Sequence, residues 1–285
     1  MTIREFTASL AVSLQPTYPP REAEAVAALV VEHLLAIDSL RRLMDARQPV
    51  APAALAALPA LQARLLAHEP VQYVLGKAFF EDMELEVTPA TLIPRPETEE
   101  LVRLIKQEQR GRADLRVLDV GTGSGCLAIA LAGALPGSRV LAVDISAEAL
   151  VVARRNAARY APAVAFQQVD ILHGLPADLP AGSLDILVSN PPYVRESERP
   201  LMRENVLAWE PATALFVPDH DPLLFYRRLC AVGQGLLRPG GALYLEINEA
   251  LGPETAALLT AHGYEAVRVL PDMFGKARIV RGTRA

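Results

Sequence analysis

Residues 116–131 have the sequence RVLDVGTGSGCLAIAL, in which three glycines separate two apolar runs. The first run is short and contains β-branched residues, as in a buried strand, and the second has the composition of a helix. Glycine tolerates positive φ and lets a ligand approach the backbone, and the loop opens onto the unpaired N–H groups of a helix N-terminus. The segment therefore predicts a strand, a loop and a helix that bind a nucleotide-type cofactor.

The spacing of the glycines discriminates between cofactors. Gly121, Gly123 and Gly125 form G-x-G-x-G, whereas dinucleotide-binding folds use G-x-G-x-x-G. Asp119 precedes the loop, and the next apolar run ends at Asp144, about 20 residues past the glycines, where an acidic side chain can accept both hydroxyls of a ribose. An NAD site and a plain tight turn are the weaker alternatives.

The second half of the chain alternates between strand-like and helix-like segments. The predicted strands are 116–120, 140–143, 164–169, 184–188, 242–247, 264–270 and 277–280, and the predicted helices are 125–135, 146–159, 222–237 and 251–262. Such alternation is typical of an α/β fold with a mostly parallel sheet, and the last two strands are close enough to form a terminal hairpin.

The N-terminal region has a different composition. Residues 1–75 are rich in alanine and leucine at helical spacing, with Pro20 suited to a first helical position and Pro59 expected to split one helix in two. A hairpin linker is predicted within residues 76–92, and residues 93–285 form the second domain. Three basic residues, Arg41, Arg42 and Arg47, are best interpreted as a solvated helix face.

Composition excludes several classes of protein. The 285 residues are 51% hydrophobic with a formal net charge of −5, which disfavours a large phosphate-binding surface. No apolar run reaches the ~18–20 residues of a membrane span, and the N-terminus does not resemble a signal peptide, so a cytoplasmic protein is expected. Cys126 and Cys230 are expected to be reduced, and no Cys/His cluster has metal-ligand spacing.

A second motif follows the strand predicted at 184–188, at the sheet edge where α/β proteins bind ligands. It consists of Ser189-Asn190-Pro191-Pro192-Tyr193. The two prolines fix φ, so that the carbonyl groups of Asn190 and Pro191 become directed acceptors beside the Asn190 side chain, and Tyr193 adds an aromatic face. These groups suit an NH₂ group on a planar π-system. A turn without function is the alternative.

The two motifs together resemble the class I S-adenosylmethionine-dependent methyltransferases. The resemblance implies that Asp119 lies close to the methionine amino group, that the loop Gly121-Thr122-Gly123-Ser124-Gly125 passes the methionine and the ribose, and that Asp144 binds the ribose diol. It also implies that Asn190 borders the cofactor and that Asp170 and Ile171 lie at the adenine. Methyl transfer from a sulfonium disperses charge, so it requires alignment and exclusion of water more than a strong acid or base.

A longer set of motifs resembles the peptide chain release factor glutamine N5-methyltransferases. They include EPVQYVLG at 69–76, LIPRPETE at 92–99, the glycine loop, the segment at 189–193, Glu210-Pro211 and Glu246-Ile247. Members modify the glutamine of the Gly-Gly-Gln loop in bacterial class 1 release factors, and their helical domain holds the partner. The resemblance implies that Asn190, Pro191 and Pro192 bind the glutamine amide, that Tyr193 packs on it, and that Arg95 and Glu97 line the site entrance.

Two departures from the family pattern stand out. The usual Asp-Gly-Leu is Asp221-Pro222-Leu223 here, and an aromatic residue expected at the adenine is Ile171. Three other functions stay open: methylation of a ribosomal-protein glutamine, methylation of a DNA or RNA amino group, and a binding module that uses S-adenosylmethionine as a sensor ligand. The sequence thus predicts a Rossmann-like methyltransferase domain joined by a β-hairpin to a helical-bundle domain.

Overall fold

The computed structural model describes all residues from Met1 to Ala285. The helices are α1 (Ile3–Leu14), α2 (Pro20–Leu35), α3 (Ser39–Met44), α4 (Pro52–Leu66), α5 (Val71–Leu75), α6 (Pro96–Glu108), α7 (Cys126–Ala134), α8 (Ala147–Tyr160), α9 (Glu204–Trp209), α10 (Leu224–Leu236) and α11 (Gly252–Ala261). The strands are β1 (Lys77–Phe80), β2 (Met83–Glu86), β3 (Arg116–Val120), β4 (Arg139–Asp144), β5 (Ala165–Gln168), β6 (Leu184–Ser189), β7 (Val194–Arg195), β8 (Phe216–Val217), β9 (Leu237–Glu246), β10 (Tyr264–Pro271) and β11 (Ala277–Arg284). None of the eleven helices combines the length and apolarity that a membrane crossing requires.

Two units divide the chain: Met1–Lys77 with Arg203–Trp209, and Ala78–Met202 with Glu210–Ala285. In the first unit, α1 begins with a capping box in which Thr2 and Glu5 exchange backbone-to-side-chain hydrogen bonds. Apolar side chains of α1 and α2, including Phe6, Leu10 and Val30, form its core. Helix α2 begins at Pro20, as predicted.

The expected break at Pro59 does not occur, because α4 runs without interruption from Pro52 to Leu66. A proline inside a helix removes one hydrogen bond and crowds the carbonyl group four residues earlier, at a cost of about 3 kcal/mol that packing can offset. Leu58 and Leu61, on either side of it, both pack against the core of this unit, and this packing holds the helix together across the missing bond. The prediction of two short helices was therefore wrong.

The basic cluster of the first unit is largely neutralised on its own surface. Arg41 pairs with Asp45, and Arg42 pairs with Glu32, at 2.7 and 2.8 Å. These ion pairs agree with the interpretation of the basic residues as a solvated helix face, in which charged side chains pair with each other on the surface.

A seven-stranded sheet forms the centre of the second unit, in the order β10-β11-β9-β6-β3-β4-β5. The pairs among β9, β6, β3, β4 and β5 are parallel, while β11 is antiparallel to both β9 and β10. The predicted mostly parallel sheet with a terminal hairpin is confirmed. From β3 the chain moves to β4 and β5 on one side and then returns to β6 on the other, so a crevice opens at the carboxyl ends of these strands.

Both faces of the sheet are covered by apolar residues. Ile186 and Val188 belong to one core cluster, whereas Leu187 between them belongs to the other, as the alternation of a strand requires. Each of these three side chains is fully buried. The sheet is therefore a rigid platform, and only its edges and the ends of its strands are available for chemistry.

The hairpin of β1 and β2 lies near the predicted place and packs within the second unit. The side-chain amide of Asn156 accepts from the backbone N–H of Glu86 at 2.7 Å and donates to the carbonyl oxygens of Glu86 and Ser124, both at 2.9 Å. Asn156 on α8 thus fastens the hairpin and the glycine loop to the same helix.

Candidate active site

A cavity of about 560 Å³ lies at the carboxyl ends of β3, β4 and β6. Eight of the residues selected from the sequence line it: Gly121, Gly123, Asp144, Asp170, Ile171, Asn190, Pro191 and Pro192. The other selected residues do not line it: Asp119, Thr122, Ser124, Gly125, Tyr193, Arg95 and Glu97. The structure thus brings both sequence motifs to one cavity, where the backbone oxygen of Asn190 lies close to Gly121.

The glycine loop is held in a conformation that only glycine adopts without strain. Gly121, Gly123 and Gly125 have φ values of 74°, 54° and 85°. The backbone N–H groups of Gly121 and Thr122 both donate to the carbonyl oxygen of Val143, at 2.8 and 3.0 Å. A Cβ atom on Gly125 would lie 3.1 Å from Cδ1 of Ile129, so this position also requires a residue without a side chain.

Asp144 shapes the loop as well as the cavity. Its Oδ2 accepts from the N–H of Gly123 at 2.8 Å, and its Oδ1 accepts from the N–H of Ser146 at 2.9 Å. A carboxylate has about four acceptor positions, so two remain for a ligand with neighbouring hydroxyls. Burial raises the pKa of Asp144, and the backbone N–H groups of Ser146 and Gly123 lower it.

Asp119 is fully buried at the end of β3. Its Oδ2 accepts from the hydroxyl of Thr122 at 2.7 Å, but its Oδ1 has no hydrogen-bond partner. Burial raises the pKa of Asp119 to about 7, against the hydrogen bond from Thr122, and the nearby charge of Asp144 raises it further. An unpartnered buried carboxylate oxygen is costly, so this atom fits a role as the partner of a cationic ligand group.

Asp170 and Ile171 line another part of the cavity wall. Asp170 accepts from Nδ1 of His173 at 2.6 Å and from the N–H of Leu172 at 3.0 Å, and the bond to His173 is the main cause of its lowered pKa. Ile171 is buried against the cavity, and its carbonyl oxygen accepts from Nε of Arg228. An apolar side chain beside an acidic one suits a planar heterocycle that also carries hydrogen-bond donors.

Ser189 is the last residue of β6, and Asn190 follows it beside the glycine loop. The hydroxyl of Ser189 donates to the carbonyl oxygen of Val120 at 2.7 Å, which fixes the end of β6 against the end of β3. Nδ2 of Asn190 donates to Oγ1 of Thr98 at 3.1 Å. This bond uses one hydrogen of the Asn190 NH₂ group, so Oδ1 is directed away from Thr98 in a residue that lines the cavity.

Tyr193 makes internal contacts in place of a contact with the cavity. Its hydroxyl donates to Oε1 of Glu246 at 3.2 Å, and its N–H donates to the carbonyl oxygen of Leu215. Burial raises the pKa of Tyr193 well above its usual value, and the negative charge of Glu246 adds to the shift. The ring therefore supports the loop from beneath in this structure.

The proline-rich segment before α6 is fixed by a buried acid. Glu210 accepts from the N–H of Ile93 at 3.1 Å and from the guanidinium of Arg95. Its carboxylate is almost fully buried, whereas the Arg95 side chain is about one-third exposed, at 34%. This pair holds the segment so that Leu92, just before it, reaches the cavity wall.

Comparison with known proteins gives matches along most of the chain. The "Methyltransferase small domain" matches residues 97–209, and the "PrmC N-terminal domain" matches residues 12–76. A release factor glutamine methyltransferase from Bacteroides thetaiotaomicron is 45% identical over 99% of this chain and 100% of its own length. Another, from Chlorobaculum tepidum, is 39% identical over 88% of this chain and 87% of its own length.

The chain belongs to the release factor glutamine methyltransferase family. Membership makes it an S-adenosylmethionine-dependent methyltransferase and confirms the class I fold predicted from the sequence. A methyltransferase of known structure from Pyrococcus furiosus supports the same fold, with a TM-score of 0.52 and 20% identity over 80% of this chain and 100% of that one.

Sequence reasoning missed two members of the site in this family member. Thr98 and Glu246 were noted only as parts of motifs, yet the hydroxyl of Thr98 donates to Oε2 of Glu246 at 2.7 Å while it accepts from Asn190. The sequence did contain a signal for Glu246, because a charged residue at the end of an otherwise apolar strand needs a polar partner. Its connection to Asn190 depends on β9 lying beside β6, where Leu245 pairs with Ser189.

Proposed function

We propose that this protein transfers the methyl group of S-adenosyl-L-methionine to the side-chain amide nitrogen, N5, of the glutamine in the Gly-Gly-Gln motif of bacterial class 1 release factors. The observation that carries the proposal is the orientation of Asn190, whose nitrogen is occupied by Thr98 and whose oxygen is free to accept at the cavity. The relatives named as release factor glutamine methyltransferases support this choice of substrate.

The residues in and around the glycine loop fit the cofactor. Asp119, with its unpartnered oxygen, would hold the ammonium group, and Asp144, with two remaining acceptor positions, would hold the ribose hydroxyls. The backbone of residues 121–125, including Thr122 and Ser124, would border the methionine and the ribose, and Asp170 and Ile171 would border the adenine. When bound, the cofactor supplies a methyl group on a positively charged sulfur.

Asn190 and Pro191 align the nucleophile. A glutamine amide has two N–H donors and a delocalised lone pair, so it is a weak nucleophile. In this proposal Oδ1 of Asn190 and the carbonyl oxygen of Pro191 accept these two hydrogens, and the lone pair points toward the methyl group. When the N–CH₃ bond forms, the S–CH₃ bond would break and neutral S-adenosylhomocysteine would leave. The positive charge would pass to the amide nitrogen, which would then lose one of its two protons to water, so alignment can replace a strong base.

Several groups around the loop complete the proposal. Pro191 and Pro192, together with Leu92 and Phe216, provide an apolar surface that excludes water. Tyr193 packs on the amide only if its ring turns toward the cavity, and otherwise it supports the loop. Arg95, which Glu210 holds, and Glu97 are assigned to the entrance.

Partner recognition is assigned to the helical domain. We infer a partner-binding domain at 1–75, a hairpin linker at 76–92 and the methyltransferase domain at 93–285, in a protein that acts on release factors in the cytoplasm. A folded partner supplies remote contacts whose binding energy positions a weak nucleophile. The net charge of −5 disfavours a nucleic-acid substrate.

Labelled cofactor tests the proposed substrate class. Purified protein, radiolabelled S-adenosylmethionine and a bacterial lysate are incubated, and protein, DNA and RNA are then separated. We expect the label in a release factor, and Asn190→Ala provides the control for background labelling. Label in nucleic acid or in a ribosomal protein, with the release factor unmodified, would overturn the proposal.

A further inference from the structure

A chain of hydrogen bonds runs from Asn190 to a buried acid on the neighbouring strand. Nδ2 of Asn190 donates to Oγ1 of Thr98 at 3.1 Å, and Thr98 donates its hydroxyl hydrogen to Oε2 of Glu246 at 2.7 Å. Thr98 is 2% exposed and Glu246 is 1% exposed, so the bond between them is shielded from bulk solvent. The chain links α6, the loop after β6 and the end of β9.

The direction of each bond in this chain is determined by the one before it. An ionised carboxylate only accepts, so Glu246 takes the single hydrogen of the Thr98 hydroxyl. Thr98 can then only accept from its other neighbour, and Asn190 must present its NH₂ group to it. The Asn190 oxygen is consequently directed elsewhere, and Asn190 lines the cavity.

We propose that Thr98 and Glu246 are positioning residues for methyl transfer, in which the ionised carboxylate of Glu246 acts through the Thr98 hydroxyl to keep the Asn190 oxygen toward the substrate. This inference rests on the proposed function, because it concerns the amide group that accepts from the substrate nitrogen. The second oxygen of Glu246 accepts from the hydroxyl of Tyr193 at 3.2 Å, so the loop is held at two points by the same acid.

The opposite arrangement is chemically possible and would be inactive. A proton on Oε2 of Glu246 would be donated to Thr98, and the Thr98 hydroxyl would then donate to Asn190. Asn190 would accept with its oxygen and turn its NH₂ group toward the cavity. Two donor groups, those of Asn190 and of the substrate amide, would then face each other, and the substrate would lose one of its two acceptors.

The environment of Glu246 places its change of protonation near neutral pH. Burial raises the pKa of Glu246 to about 7, while the hydrogen bonds from Thr98 and Tyr193 lower it. The charged and titratable groups that face it from the surrounding elements are Arg278 on β11, Glu97 on α6, Cys126 on α7, Tyr226 on α10 and Tyr193. We therefore expect kcat to rise with pH through about 7 as Glu246 ionises.

Three variants separate positioning from a merely structural role. Thr98→Val keeps the shape but removes the hydroxyl, Thr98→Ser keeps the hydroxyl, and Glu246→Gln removes the charge. Thr255→Val is the matched control, because Thr255 is equally buried and its hydroxyl has no hydrogen-bond partner. Activity is measured on an intact release factor at saturating cofactor, so that ionisation of Asp119 does not affect the result.

We expect Thr98→Val to lower kcat about 10²-fold, as a small misplacement of a positioning group does. The KM for the release factor and the affinity for S-adenosylhomocysteine should change little. Thr98→Ser should recover most of the lost kcat, and Thr255→Val should behave as wild type. The rise of kcat with pH should disappear in both Thr98→Val and Glu246→Gln. Near-normal kcat in Thr98→Val, or an unchanged pH profile in it, would overturn the proposal.

A measurement without the release factor distinguishes failure of this inference from failure of the proposed function. The side-chain ¹⁵N resonance of Asn190, followed in the S-adenosylhomocysteine complex, should shift with pH in the wild type and stay constant in Thr98→Val. If the release factor is not methylated but the resonance shifts, only the proposed substrate is wrong. If the wild type methylates the release factor and the resonance is independent of pH, the positioning role is wrong.

Discussion

Two buried carboxylic acids lie at the ends of strands in the same sheet, yet their surroundings differ. Asp119 on β3 and Glu246 on β9 are both almost completely buried, and burial raises the pKa of each to about 7. Both oxygens of Glu246 accept from side chains of the protein, whereas one oxygen of Asp119 has no partner. We infer from this difference that Asp119 is available to a ligand, whereas Glu246 orients residues of the protein itself.

The largest effect is expected at the acid with the free oxygen. Asp119→Asn should weaken binding of S-adenosylhomocysteine by about 3 kcal/mol, the lower end of the cost of removing one partner from a buried ion pair. Titration calorimetry measures this affinity. Unchanged affinity would mean that the free oxygen of Asp119 does not contact the cofactor.

The same variant should be more stable than the wild type when no ligand is bound. The pKa of Asp119 is raised in the folded protein, so its contribution to stability is complete below the unfolded pKa of about 4 and is lost as pH rises through about 7. Asp119→Asn avoids this loss, and its gain in melting temperature should be greater at pH 8 than at pH 5.5. An equal gain at the two values would contradict the assigned pKa.

In the segment proposed to bind the substrate, Asn190→Ala should reduce kcat by about 10²-fold or more while cofactor affinity changes little. The lost interaction acts on the nucleophile and is made in the transition state, so it affects turnover more than binding. Single-turnover kinetics with saturating cofactor measure it. Near-normal turnover would mean that Asn190 has only a structural role, and Glu246 would then have no substrate-binding residue to orient.

A smaller effect is expected at Asp144, which accepts hydrogen bonds from the loop backbone and which we propose to bind the ribose. Asp144→Ala should weaken binding of S-adenosylhomocysteine by about 1.5–3 kcal/mol, the range for hydrogen bonds to charged groups. Since Asp144 also accepts from Gly123 and Ser146, Asp144→Asn helps to separate the two roles by keeping one acceptor oxygen. Normal affinity in Asp144→Ala would refute the ribose assignment.

The smallest effect concerns the residue that departs from the family pattern. Ile171→Phe introduces an aromatic ring at the cavity and should strengthen cofactor binding by about 0.5–1 kcal/mol through stacking on the adenine. Ile279→Phe, at a buried position outside the cavity, controls for the effect of an added ring on stability. Weaker binding in Ile171→Phe would place the adenine elsewhere.

The sequence predicted those parts of the site that depend on neighbouring residues. The glycine loop, Asp119 and Asp144 were predicted because the loop conformation requires glycine, because Asp119 lies two residues before the loop, and because Asp144 ends the next strand. The Asn190 segment was found because its prolines make it rigid at the end of a buried strand. The sheet was predicted from the alternation of strands and helices, each of which is also a local pattern.

The remaining features depend on contacts between distant parts of the chain. Asn190 and Thr98 are 92 residues apart, and Thr98 and Glu246 are 148 apart, so their hydrogen bonds exist only after β9 has paired with β6 and α6 has packed nearby. The role of Glu210 as the partner of Arg95, 115 residues away, is of the same kind. Pro59 was misjudged for a similar reason, because packing on both sides of it maintains the helix.

Mass spectrometry of a digested release factor tests the central claim most directly. The intact release factor and a short peptide that contains only its Gly-Gly-Gln segment are incubated separately with the protein and S-adenosylmethionine. We predict one added methyl group on the glutamine of the intact factor and little or none on the peptide, because remote contacts are needed to position the weak nucleophile. An unmodified glutamine in the intact factor, with methylation found on DNA, RNA or a ribosomal protein, would contradict the account.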